Sequence, residues 1–65
     1  MLYLNSSAIS AVNYNFTTKT LTVWFVGGGQ GYDYYGVPES VYNGLMNASS
    51  KGRYFNVYIR VQYAA

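Results

Sequence analysis

Tyr32-Asp33-Tyr34-Tyr35-Gly36-Val37-Pro38-Glu39-Ser40-Val41-Tyr42 decides the fold, because the chain changes its structural period inside this stretch. Tyr32 to Tyr35 reads as a short strand with Tyr32 and Tyr34 on one face, and Gly36 breaks it. Pro38 fits the first helical position, where its missing N–H costs nothing, and Glu39 lies near the positive end of the helix dipole. Val41, Leu45 and Ala48 then recur at helical spacing, with Tyr42 and Met46 flanking them. Gly44 inside this helix costs about 1 kcal/mol against alanine, so a close approach of another group is expected there. Ser49 and Ser50 end the helix and are placed to cap a second one.

Upstream, Ala8 to Asn15 is a strand candidate whose apolar residues are Ile9, Val12 and Tyr14, and Asn15 to Lys19 supplies a turn. Thr20 to Val26 is the clearest strand: Leu21, Val23 and Phe25 alternate with Thr20, Thr22 and Trp24. The first set should face a core. The second ends in Trp24 and Val26, which do not suit a solvated face, so a neighbouring element or a second subunit should cover them. Gly27-Gly28-Gly29-Gln30-Gly31 reads first as a hairpin connection. Its backbone N–H groups could also cradle phosphate, but no Lys-Ser or Lys-Thr follows and no helix starts directly after it.

Downstream, Arg53 to Tyr63 is ambiguous. Tyr54, Phe55, Tyr58 and Ile59 fit a helical period, whereas Phe55, Val57, Ile59, Val61 and Tyr63 alternate like a strand. The expected fold is α+β: a small antiparallel three-stranded sheet followed by one or two helices, with residues 53–63 as a possible fourth strand. All of residues 1–65 are read as a single domain.

Composition narrows the function. The 65 residues carry four basic and two acidic side chains, and neither histidine nor cysteine. Zinc and haem ligands of the commonest kinds, thiol nucleophiles, imidazole bases and disulfides are thereby removed. Asp33 and Glu39 could pair as carboxylates only across a strand and a helix start, and Glu39 is explained more simply by the helix dipole. No catalytic residue, metal or cofactor is assigned. A chain this short buries only about 60% of its unfolded surface, so a second copy is expected to complete it. Nine tyrosines, Trp24 and three phenylalanines are more than so small a core encloses, leaving aromatics for interfaces or base stacking. The longest apolar run, Val23 to Val26, is far short of the roughly 20 residues that span a bilayer. With no basic, apolar leader at Met1 to Ser7, a cytoplasmic chain is expected.

The stretch quoted first, followed by Asn47-Ala48-Ser49-Ser50-Lys51-Gly52-Arg53-Tyr54-Phe55-Asn56, resembles the KTSC domain family. Ser6-Ser7-Ala8-Ile9 and Lys19-Thr20-Leu21 fit the same pattern, so the resemblance covers nearly the whole chain. The family takes its name from the C-terminus of some lysyl-tRNA synthetases and includes free-standing bacterial and phage proteins. The resemblance implies a small sheet followed by helices, with helix favoured after Ser50, and RNA binding as its usual suggested activity. Related sequences often carry basic residues near Asp33, Val57 and beyond Arg60, and a charged residue at Trp24. Their glycine loop is about one residue shorter. Those departures remove charge and add apolar surface, which disfavours a long polyanion and favours self-association.

Ser49-Ser50-Lys51-Gly52-Arg53 places two hydroxyls and two cations at an expected helix start, a setting that suits anions and equally suits a plain serine cap. Tyr32, Tyr34 and Tyr35 could stack on bases, at about 1–3 kcal/mol each, or simply line a core. Ligand-binding residues are accordingly expected among Tyr32, Tyr34, Tyr35, Ser49, Ser50, Lys51, Arg53, Asn56 and Arg60, and an oligomer interface at Trp24, Val26, Tyr42 and Tyr58. Three functions fit. The first is a non-enzymatic homo-oligomeric sponge, of a phage type, that sequesters a cyclic nucleotide or dinucleotide immune signal in the host cytoplasm. The second is binding of RNA or single-stranded nucleic acid, and the third a protein-interaction module without a nucleotide.

Overall fold

The computed structural model describes residues 1–63, with strands first and helices after them. Four strands, β1 (Leu2–Tyr3), β2 (Ile9–Asn15), β3 (Thr20–Phe25) and β4 (Gly31–Tyr34), form one antiparallel sheet in the order β1-β2-β3-β4. Helix α1 (Glu39–Asn47) and helix α2 (Lys51–Tyr54) follow, and α2 continues into a π-helical segment, Phe55–Ile59. The α+β class expected from the sequence is present. The sheet's fourth strand, however, comes from the N-terminus, and the segment after Arg53 is helical.

One face of the sheet carries the core. Val12, Tyr14, Leu21 and Val23 pack there against Val37, Tyr42, Leu45, Phe55 and Ile59. In β2 the apolar residues Ile9, Val12 and Tyr14 do not alternate strictly. The register shifts between Ile9 and Ala11, and this bulge restores Val12 and Tyr14 to the core face. Ser10, the extra residue, donates its hydroxyl to the Trp24 carbonyl at 3.1 Å. The turn from β2 to β3 is held by Asn15, whose side-chain oxygen accepts from the N–H groups of Thr17 (2.9 Å) and Thr18 (3.1 Å). Lys19 closes it in the left-handed region, with φ of 59°.

The chain reaches the helices through Gly36, at φ 72°, and Pro38, which lies one residue before the first helical position. Three contacts seat this crossing on the hairpin. The Tyr14 hydroxyl donates to the Val37 carbonyl, the Val37 N–H donates to the Lys19 carbonyl at 2.9 Å, and Lys19 Nζ meets Glu39 Oε2 at 2.9 Å. Lys19 and Glu39 are half exposed, so their pair orients more than it stabilises. Tyr42, expected at an oligomer interface, is instead a core residue: its ring stacks on Tyr14 with centroids 4.4 Å apart, and it is 7% exposed. On α1 the buried pair is Tyr42 and Leu45, with Val41 partly buried beside them.

The last segment resolves on exposure. Phe55 and Ile59 are buried, whereas Val57 and Val61 are 51% and 76% exposed. A strand would have put all four on one face; a helix buries only the pair four apart. The Arg60 N–H reaches back to the Phe55 carbonyl at 2.9 Å, an i to i−5 bond that accommodates one extra residue. Helix α2 lies close to β2, because a Cβ on Gly52 would stand 2.7 Å from the Ala8 Cβ. At Gly44 the expected close approach is the phenol end of Tyr54.

Gly52→Ala is therefore expected to destabilise the fold by about 1–3 kcal/mol through overpacking, and Ala8→Gly in the same chain to recover part of the loss, both read from urea midpoints. Burial holds the Tyr14 hydroxyl above the ordinary tyrosine value of 10.0; Lys19 opposes that shift and Glu39 adds to it. A raised folded value means that this contribution is complete below the unfolded value and is lost as pH climbs through the folded one. The urea midpoint should thus fall between about pH 9 and about pH 11, and fall less in Tyr14→Phe.

Candidate functional site

Ser50 is the N-cap of α2: its hydroxyl oxygen accepts from the Arg53 N–H at 3.4 Å. Ser6 does the same for the start of β2, accepting from the N–H groups of Ala8 (3.2 Å) and Ile9 (3.3 Å). A serine oxygen that accepts from the backbone keeps its own O–H free to donate. The Gly52–Ala8 contact brings these two serine turns together. Between them opens a cleft of 520 Å³, walled by Asn5, Ser6 and Ser7 on one side and by Ser49, Ser50 and Arg53 on the other. Asn56 and Val57 close its far end.

The two cations of this loop differ in position. Lys51 Nζ donates to the Ala48 carbonyl at 3.0 Å, and so closes the C-terminus of α1. Arg53 is exposed, and among the described residues its guanidinium makes no hydrogen bond while its backbone N–H donates to Ser50. With Lys19 paired to Glu39, Lys51, Arg53 and Arg60 carry the cationic groups open to a ligand, and Lys51 and Arg53 both line this cleft. The lining of the cleft is rich in donors: hydroxyls, amides, the Lys51 ammonium and the Arg53 guanidinium suit an anion with hydroxyl or carbonyl groups.

The tyrosines expected beside this loop lie elsewhere. Tyr32 and Tyr34 project to the helical side of β4 and, with Phe25, Phe55 and Arg60, line a second cleft of 360 Å³. Tyr34 meets Phe55 edge to face at 5.2 Å, and Phe25 meets both Phe55 (5.3 Å) and Tyr32 (5.8 Å). Desolvation pushes the Tyr34 hydroxyl above its ordinary value against the opposing charge of Arg60. Arg60 Nη1 donates to Asn56 Oδ1 at 3.4 Å, so this one bond joins a residue of each cleft. Tyr35 is in neither cleft: its hydroxyl points to Asp33 Oδ2 at 3.5 Å, and Asp33 pairs across the sheet with Thr22.

The residues expected at an interface also divide. Trp24 is half-buried on the sheet's outer face, because its indole and the Thr22 methyl occupy the space a Cβ on Gly31 would need, 2.8 Å from each. Val26 stays 55% exposed at the end of the hairpin. Tyr58 is exposed and leans on Tyr54 at 4.6 Å, with Val57 and Val61 exposed beside it. Sequence reasoning overlooked Asn5, Ser6 and Ser7 as site residues. Their available signal was Ser-Ser directly before a strand, a side-chain-to-backbone turn motif.

Among the described residues, no group of three or more histidine, cysteine or acidic side chains comes together, and no helix is long and apolar enough to cross a membrane. A family model described as "KTSC domain" matches residues 5–63. Lysine–tRNA ligases of Nostoc sp. (strain PCC 7120) and Nostoc punctiforme are 43% and 40% identical over 63 residues, which are 97% of this chain but 11% of each ligase. A protein of Tsukamurella paurometabola is 37% identical over 62 residues, 95% of this chain and 91% of its own length. The crystal structure of a KTSC domain protein from Yersinia pestis superposes with a TM-score of 0.87 at 34% identity, covering 94% of this chain and 84% of that one.

The different placements of the two cations can be separated. Lys51→Met should lower stability by about 0.5–1.5 kcal/mol by removing the bond to the Ala48 carbonyl, whereas Arg53→Ala should leave the thermal midpoint nearly unchanged. Circular dichroism melts of the two variants check this.

Proposed function

This chain belongs to the KTSC domain family, and from that premise we propose that it is a non-enzymatic nucleotide-binding protein. The observation that carries the reading is the donor-rich cleft of 520 Å³ with Arg53 at its rim, a volume within the roughly 300–1,000 Å³ of small-ligand sites. In its concrete form the protein is a sponge for a cyclic dinucleotide immune signal. It holds the phosphates with Lys51, Arg53 and the serine hydroxyls and performs no chemistry. Sequestration of this kind takes place in the cytoplasm, the host's if the chain is phage-encoded.

A second reading is supported by the ligases, whose name says that they act on tRNA, and in it the domain binds RNA. Charge weighs against it. Lys19 is paired with Glu39, which leaves Lys51 and the two arginines, while proteins on nucleic-acid duplexes commonly make about 6–10 phosphate contacts. Lys51 and Arg53 at the cleft suit one or two phosphates. The third possibility, an interaction module with no nucleotide, is an outcome of the test below.

Self-association is part of the proposal. A folded surface of 4087 Å² is about what a lone chain of this mass has, and about 40% of the unfolded surface stays exposed. Val57, Tyr58 and Val61 leave an uncharged apolar strip along the last helix, the surface on which a second copy fits.

Calorimetric titration with cyclic di-AMP, cyclic di-GMP, mononucleotides and an oligoribonucleotide tests the readings together. Saturable binding of a cyclic dinucleotide, weakened about tenfold or more in Arg53→Ala, is expected. RNA binding that falls steeply with salt would establish the second reading instead, and silence across the panel would sink both. Sedimentation should show an oligomer at micromolar concentration that Val61→Asp dissociates; a folded wild-type monomer overturns the self-association.

A further inference from the structure

The second cleft carries an inference of its own. Its walls are aromatic: Phe25, Tyr32, Tyr34 and Phe55, set edge to face or tilted, around an opening of 360 Å³. Walls of that kind take a flat π-system, and the volume is that of a site for one ring system rather than a chain. The one charged group on the lining is the Arg60 guanidinium. A cationic guest is therefore disfavoured, and so is a purely apolar one, since it would leave the guanidinium facing it without a partner.

Arg60 is also oriented. Asn56 Oδ1 accepts from its Nη1 at 3.4 Å, one helical turn back, and Tyr34 stands on the opposite wall. A guanidinium presents only donors, arranged as a planar fork. Its complement on a flat ring is a pair of adjacent acceptors. Guanine has that pair in O6 and N7, whereas adenine places an N6 donor beside N7 and meets donor with donor. Uracil and thymine lack a two-acceptor edge; cytosine has one in N3 and O2, but on a single ring that covers less of the aromatic walls.

We propose that the cleft of Phe25, Tyr32, Tyr34, Phe55 and Arg60 is a purine-base site selective for guanine, read through the O6/N7 edge by Arg60. It rests on the nucleotide reading for its purpose, since the Asn56–Arg60 bond joins this cleft to the one assigned to phosphate. Its physical claim concerns the base alone. The site thus names the ligand class more narrowly: a guanine-containing nucleotide.

Nucleosides, which carry no phosphate, test this cleft independently of the other. Guanosine at millimolar concentration should shift the aromatic NMR resonances of Phe55, Tyr32 and Tyr34 in a saturable way. Inosine, which keeps O6 and N7, should do the same. Adenosine and 7-deazaguanosine, each lacking one acceptor, should bind about tenfold more weakly or worse. Arg60→Lys, at an exposed position that leaves the core untouched, should abolish the discrimination while the dispersed spectrum persists. Equal affinity for all four nucleosides, an unchanged preference in Arg60→Lys, or no shift with any nucleoside overturns the proposal. Each of those results leaves the phosphate cleft to be judged by Arg53→Ala with its own panel. Conversely, guanosine shifts without any tightening by a phosphate sustain the base site and count against the reading of the first cleft.

Discussion

Tyr14 holds the two layers together. Its ring lies in the core face of the sheet, stacked on Tyr42 of α1, while its hydroxyl satisfies the Val37 carbonyl just before that helix. A carbonyl in that position, next to a chain reversal, would otherwise be buried without a donor. The ring supplies apolar contact and the hydroxyl supplies direction, and one side chain does both. From that seat the path of α1 follows, and with it the place where α1 ends and Ser49 and Ser50 must turn the chain back. The Val37–Lys19 and Lys19–Glu39 contacts repeat the same alignment at the other side of the hairpin.

The clefts are consequences of that geometry. Helix α2 can return across the sheet only where Gly52 lets its backbone meet Ala8. Two serine caps, one ending the N-terminal loop and one starting the helix, then face the same space. The other end of the same helical segment carries Phe55 and Arg60 to β4, where the tyrosines project toward it. Both clefts are therefore built at the seams between the sheet and one helix. The polar seam lies where backbone ends need capping, and the aromatic seam where the short β4 leaves its core-facing side only partly covered.

Much of this was legible in the residues. The hairpin of β2 and β3, the helix after Pro38 and the serine cap at Ser50 each have local chemistry that points to one conformation. Strand β1 was not legible, since two exposed residues, Leu2 and Tyr3, show no periodicity and exist as a strand only by pairing with Val12 and Ala11. Pattern alone could not settle residues 53–63, where the apolar residues fit two periods; the helical spacing won because Phe55 and Ile59 are buried while Val57 and Val61 stay exposed. The tyrosines were the hardest to place. Tyr32, Tyr34, Tyr35 and Tyr42 are alike in sequence, yet two line a cleft, one turns to Asp33 and one is core.

By itself, the sequence determined what this protein lacks and which local conformations its segments adopt. Six charges, no histidine and no cysteine narrow the chemistry, and turns, caps and periods are short-range matters of backbone sterics and hydrogen bonding. Only the tertiary structure decided which side chains share a cleft. Arg53 and Arg60 lie on one helical segment, yet they serve different walls, because the partner surfaces come from loops and strands far off in the chain. Burial depends on what lies opposite a side chain, and that is set by packing between elements, which no local pattern encodes.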